Sequence, residues 1–117
     1  LFAVGLGLGA VLAGKRFGIT IHQPRDIDLK MDLDKVAALS SVCDLVIAPM
    51  NATSNLAAAC GGKVWFVHAR SSAWTLLGTG QQHWYPQSRS FFGTGFQDWD
   101  NTMRKVEQAL AEEAGAR

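Results

Sequence analysis

Two short stretches of this 117-residue chain carry the residue types needed to hold a charged small molecule. The first is Asn51-Ala52-Thr53-Ser54-Asn55, entered through Pro49 and Met50. It leaves an apolar run and opens a segment of helical composition. The first-turn N–H groups of a helix lack intrahelical acceptors, and the helix dipole favours an anion beside them. Thr53, Ser54 and Asn55 would add side-chain donors for phosphate oxygens. The same residues equally suit a plain helix cap on Asn51 or Thr53, and Asn51-Ala52-Thr53 also matches a glycosylation acceptor. The second stretch surrounds the end of another apolar run. There His68, Arg70 and Trp74 offer a nucleotide an imidazole, a cation and an aromatic plane, although Arg70 also reads as a solvated surface charge.

No nucleophile–base pair accompanies these stretches. Ser41, Ser71 and Ser72 lack the glycine-flanked elbow of a hydrolase nucleophile. No histidine has a carboxylate close to it in sequence, so catalytic residues stay unassigned. Cys43 and Cys60 sit in apolar surroundings, form no C-x-x-C pair, and are not spaced with His22, His68 and His83 as zinc ligands are. They read as two buried thiols in a reducing, cytoplasmic setting, with no metal and no cofactor. Asp26 to Asp34 alternates acidic residues, but Met31 and Ala37 stand where a calcium loop needs glycine and glutamate. These aspartates are expected to cap the helix that follows.

The elements that must position these residues are legible as hydrophobic runs. Gly18 to His22 is a β-branched strand candidate. A helix is predicted from about Leu33 to Val42, with Leu33, Val36, Ala37 and Leu39 on one face. Asp44 to Ala48 is a continuous apolar run, the pattern of a strand buried on both faces of a parallel sheet, ended by Pro49. A helix from about Thr53 to Cys60 stops at Gly61-Gly62. Lys63 to His68 is a second buried strand, which completes a strand–helix–strand unit of parallel, right-handed type. Ser71 to Gln97 holds one charged residue, Arg89, and six aromatic ones, and reads as a packed or ligand-binding loop. From Asp98 onward, Trp99, Met103, Val106 and Leu110 recur at helical spacing as a buried stripe.

Composition narrows the class. Hydrophobic residues make up 48%, charged residues 18%, and the net charge is +1. That suits one globular domain over residues 1–117 and excludes a broad nucleic-acid footprint, which needs clustered basic charge. Leu1 to Gly14 is uncharged, but as a helix it reaches only about 21 Å, short of a hydrocarbon core of about 30 Å, so no membrane span is expected. Its alternating glycines do not form the G-x-G-x-x-G of a dinucleotide loop.

An ordered set of motifs then comes into view: D-L-D-K-V-A-A-L (Asp32 to Leu39), D-L-V-I (Asp44 to Ile47), N-L-A-A-A-C-G (Asn55 to Gly61), V-W-F (Val64 to Phe66), W-T-L-L-G-T (Trp74 to Thr79), W-Y-P (Trp84 to Pro86) and F-Q-D-W-D (Phe96 to Asp100). In this order they resemble the C-terminal, donor-binding half of heptosyltransferase-like glycosyltransferases of the GT-B architecture, of the kind fused to tetratricopeptide repeats in bacteria. The resemblance implies a Rossmann-like three-layer α/β/α domain with a parallel sheet. It also implies that Asn51, Ala52, Thr53, Ser54 and Asn55 hold the diphosphate of a nucleotide sugar, which is substrate and not cofactor. An acceptor-binding N-terminal half would lie outside this chain. An open sheet edge and the apolar Leu1–Gly14 segment would then favour a homo-oligomer. Family members carry Asp and His where Met50 and Asn55 stand here. That departure motivates the alternative, a divergent non-catalytic interaction module.

Overall fold

A computed structural model describes residues 16–22, 24–68 and 74–116. The chain divides into two compact units, Leu1–Leu39 and Ser40–Arg117. The Leu1–Gly14 segment lies outside the described residues.

In the first unit, polar residues organise the approach to helix α1 (Leu33–Ser41), whose last residues belong to the second unit. The Asp28 carboxylate accepts from the amides of Lys30 (3.0 Å) and Met31 (3.1 Å), which folds a tight turn. Asp32 then caps α1 by accepting from the Lys35 amide at 3.4 Å, and its carboxylate pairs with the Lys35 ammonium at 2.9 Å. That hydrogen-bonded ammonium draws the Asp32 pKa below its ordinary value. Asp32 therefore caps the helix as its position implies, while Asp28 shapes the turn before it. Gly18 to His22 does not become a strand: His22 alone takes part in an isolated bridge, and Ile19 is exposed. β-branched composition gives a strand only where a partner strand and a packed face are supplied.

The second unit is built on a parallel sheet of β1 (Val46–Pro49), β2 (Val64–His68) and β3 (Arg89–Phe92), in that spatial order. Helix α2 (Ala52–Ala59) joins β1 to β2, and helix α3 (Trp99–Gly115) follows β3. All five residues of β2 are buried. Alternate side chains of a strand point to opposite faces, and two separate cores result. Val64 and Phe66 pack with Ala57 and Ala58 of α2. Trp65, Val67 and Phe91 pack with Val106 and Ala109 of α3. The sheet is thus covered by α2 on one face and α3 on the other, an α/β arrangement with helices outside and strands between. A salt bridge between Lys63 and Glu113 ties the start of β2 to the end of α3.

Three sequence expectations need correction here. The run Asp44–Ala48 is not buried on both faces: β1 is the shorter Val46–Pro49, and Ile47 is 39% exposed. Ile47 is in register with Trp65 and faces the α3 side, but α3 packs on β2 and β3. Pro49 closes the strand from within, a position open to proline because β1 is an edge of the described sheet. The stretch Ser71–Gln97 is not one loop, since it contains β3 and a short 3-10 turn, Trp74–Leu76. The buried line of α3 is Thr102, Val106 and Ala109, with Leu110 beside it, whereas Trp99 and Met103 are exposed. Thr102 tolerates complete burial because its hydroxyl donates to the Asp98 carbonyl at 2.9 Å. The thiols also differ from expectation. Neither is in a disulfide, but Cys60 is exposed and Cys43 half-buried, since each lies just past a helix end and not on its packed face.

Two turns set the ends of the elements. The Thr94 hydroxyl and amide donate to the Asp98 carboxylate at 2.6 and 3.0 Å, with Asn101 adding a third donor, and together they lower the Asp98 pKa to about 2. At the end of α2, the Gly62 amide donates to the Ala57 carbonyl (3.0 Å) and the Gly61 amide to that of Ala58 (3.1 Å). This paired closure requires a left-handed residue, and Gly61 has φ +84°. A Cβ on Gly62 would stand 2.8 Å from the Ala57 carbonyl oxygen. Replacing Gly61 with Ala is therefore expected to destabilise the domain by about 1–2 kcal/mol, the cost of a left-handed non-glycine residue. Urea denaturation of G61A beside the unmodified protein measures it, with an unchanged midpoint as the contrary result.

Candidate functional site

Because the strands are parallel, their carboxyl ends share one edge of the sheet, where ligands of open α/β sheets bind. The β1–α2 turn opens there. Asn51 is the N-cap: its side-chain oxygen accepts from the Ser54 amide at 3.0 Å, and the Ser54 hydroxyl accepts from the Asn51 amide at 3.0 Å. This reciprocal box is completed inwardly. The Ser54 hydroxyl lies 2.8 Å from the Pro49 carbonyl, to which it donates, and the residue is fully buried. The Asn55 amide donates to the Asn51 carbonyl at 2.8 Å.

Of the polar side chains in this loop, Asn51, Ser54 and Asn55 are thus engaged in shaping it. Thr53 is half-exposed, and Ala52 is exposed. An anion arriving here would meet the first-turn amides of Ala52 and Thr53, which have no intrahelical acceptor, together with the Thr53 hydroxyl. Ser54 would act through the backbone that it holds in place.

His68 ends β2 at the same edge but is only 7% exposed. Its ring stacks on Phe92 (centroids 4.7 Å apart, planes 18° apart), and Nε2 lies 3.3 Å from the Ser90 hydroxyl. Burial lowers its pKa and keeps the imidazole neutral. The structure places His68 within the packed edge. Arg70 lies outside the described residues, as do Ala69, Ser71, Ser72 and Ala73.

Trp74 opens the 3-10 turn and is exposed. The turn is fastened to the β1–α2 loop through its next residue: the Thr75 hydroxyl donates to the Met50 sulfur at 3.6 Å, and the Gln82 amide reaches both Thr75 (3.5 Å) and Met50 (4.0 Å). Gln82 is almost fully buried. The structure therefore brings the Asn51–Asn55 loop and the Trp74 segment together, with Met50 between them. Sequence reasoning placed Met50 in this loop but did not assign Thr75, Gln82 or Trp84 to the region. A signal for it existed in the absence of charge from Trp74 to Ser88, since a neutral polar segment of that length must place its amides and hydroxyls against something.

The chain is similar to Protein FlbA of Caulobacter vibrioides. The two are 45% identical over 104 residues, 89% of this chain, and the chain spans 17% of the length of that relative. No family model matches the chain. No solved structure matches it. The stretch shared with FlbA is thus a small part of a much longer protein. Among the described residues, no helix is long and apolar enough to cross a membrane.

Two outcomes follow from this geometry. Ser54→Ala is expected to cost about 1–2 kcal/mol of stability by removing the hydroxyl that accepts from the Asn51 amide and donates to the Pro49 carbonyl, although the Asn51 cap itself remains. Thr53→Ala should leave stability within about 0.5 kcal/mol, as a substitution away from packed features does; equal losses in thermal denaturation of the two variants would contradict the division. For His68, the folded pKa lies below the unfolded value, so folding favours the neutral ring. Its contribution is present above the ordinary histidine pKa of about 6.5 and is lost as pH falls through the lower folded value. Stability should therefore decline as pH falls below about 6.5, and His68→Phe should flatten that decline in denaturant titrations at stepped pH.

Proposed function

We propose that this chain is the donor-binding part of a bacterial glycosyltransferase of GT-B architecture, with a Rossmann-like donor fold. In this reading it takes the diphosphate of a nucleotide sugar at the N-terminus of α2. The single observation that carries it is the β1–α2 turn. It leaves a parallel strand at the carboxyl edge of the sheet, presents the first-turn amides of Ala52 and Thr53, and is held open by the Asn51–Ser54 box. The motif resemblance supports the same assignment independently.

In such a transfer, the bond between the anomeric carbon and the diphosphate breaks and a bond to an acceptor hydroxyl oxygen forms. The nucleoside diphosphate leaves, and the acceptor proton passes to a base outside this chain. Amides aimed at the leaving diphosphate stabilise the charge that develops on it. The acceptor half, and tetratricopeptide repeats beside it, belong in this proposal to a longer parent. The length of FlbA beyond the matched stretch leaves room for both. Two cysteines outside any disulfide, one of them exposed, accord with a reducing cytoplasm.

One observation favours a second reading as a non-catalytic interaction module: Asn55 turns its amide back onto the loop, in the position where family members carry a histidine. The test is a titration of ¹⁵N-labelled protein with UDP, GDP and ADP sugars. The expected result is amide shifts centred on Ala52 and Thr53 with at least one donor. Absence of shifts there with all of them would overturn donor binding and leave the interaction module.

A further inference from the structure

Trp74 and Trp84 are 71% and 58% exposed, and their rings meet edge to face with centroids 5.2 Å apart and planes 80° apart. Two indoles left in water form an apolar patch of a kind that marks a binding surface. Their positions are anchored on both sides. Leu76, two residues after Trp74, is fully buried, and Gln82, two residues before Trp84, is 4% exposed. Tyr85, next to Trp84, stacks on Phe66 of the core with centroids 6.2 Å apart. Thr75 fastens the turn to Met50, the residue preceding the N-cap of α2. The corner between the two rings is therefore preorganised beside the β1–α2 loop.

We propose that Trp74 and Trp84 form an aromatic corner that stacks the base of a nucleotide. This rests on the nucleotide-sugar reading and adds the place of the base to it. The chemistry around the corner favours a base over a sugar ring. A sugar is read by directed hydrogen bonds to its hydroxyls, but among the described residues near the corner Thr75 and Gln82 turn toward Met50, and Thr79 and His83 toward each other at 2.9 Å. Among the described residues, what the corner presents is ring area without charge, which suits the planar, uncharged part of a nucleotide. Stacking of this type uses the π-face that every base has, so it tolerates different bases.

The test uses protein labelled with 5-fluorotryptophan, the resonances of its four tryptophans assigned through Trp74→Phe, Trp84→Phe and Trp99→Phe, which leaves Trp65. ADP, GDP and UDP are each expected to shift the Trp74 and Trp84 resonances while the buried Trp65 resonance stays fixed. Trp74→Ala or Trp84→Ala should raise the dissociation constant roughly tenfold, with Phe at either position restoring most of it. Because both side chains are exposed, an unchanged Trp65 resonance in each variant shows that the fold is intact. Nucleotides that move the Ala52 and Thr53 amides but neither tryptophan would overturn the aromatic corner and leave the diphosphate site standing. Methyl glycosides that reproduce the tryptophan shifts would overturn it in favour of a sugar subsite. Conversely, adenosine shifting both tryptophans while pyrophosphate leaves Ala52 and Thr53 unmoved would uphold the corner and remove the diphosphate reading.

Discussion

The complete burial of β2 is the constraint on which the rest of the second unit depends. Val64 to His68 is buried on both faces, so its backbone groups must pair with the neighbouring strands and its apolar side chains must meet the helices. Val64 and Phe66 require α2; Trp65 and Val67 require α3. Fully burying an aromatic or aliphatic side chain contributes about 1.5–3 kcal/mol. Much of the apolar stabilisation of this unit therefore runs through five consecutive residues. Neighbouring features serve that strand. Gly61-Gly62 ends α2 in time for the chain to enter it, the Lys63–Glu113 pair holds its start, and Arg89 lies over Trp65 and Phe91 on the adjacent strand.

Rigid elements at one edge leave the loops at that edge free to carry function. The β1–α2 turn shows how the sequence divides the work. Asn51, Ser54 and Asn55 give their polar atoms to the loop itself, and that makes the first-turn amides a fixed feature. The 3-10 turn is held by a small cluster of soft and neutral contacts, Thr75 and Gln82 on Met50, which needs no charge. Met50 meets these donors as a thioether, which accepts weak hydrogen bonds and fills space without bringing charge to the loop. His68 works in the same sense, as a neutral ring stacked at the edge of the core.

Local patterns reveal local things. The helix caps at Asp32 and Asn51, the glycine stop at 61–62, the buried run of β2 and the existence of the last helix were readable because each depends on residues within a few positions of one another. The alternation of strands and helices was enough to indicate a parallel α/β sheet. The position of the capped turn after β1 was readable for the same reason, as a strand followed by a helix start.

Tertiary structure decided what depends on neighbours distant in sequence. β1 and β2 are similar apolar runs, yet β2 became central and β1 an edge because α3 covers β2 and β3 and leaves Ile47 open. Arg89-Ser90-Phe91-Phe92 has no alternation to mark it, and it became β3 because β2 offered an unpaired ladder in register. Two faces of α3 carry helical spacing, and the one with Thr102 and Ala109 was buried because small side chains let the helix approach Trp65 and Phe91. The side chains of Trp74 and Trp84, distant by ten residues, met because Leu76, Gln82 and Tyr85 were drawn inward. Amino-acid type and spacing determined which segments form elements and where they start and stop. Packing alone determined which faces are buried, because burial is a property of the partner as much as of the residue.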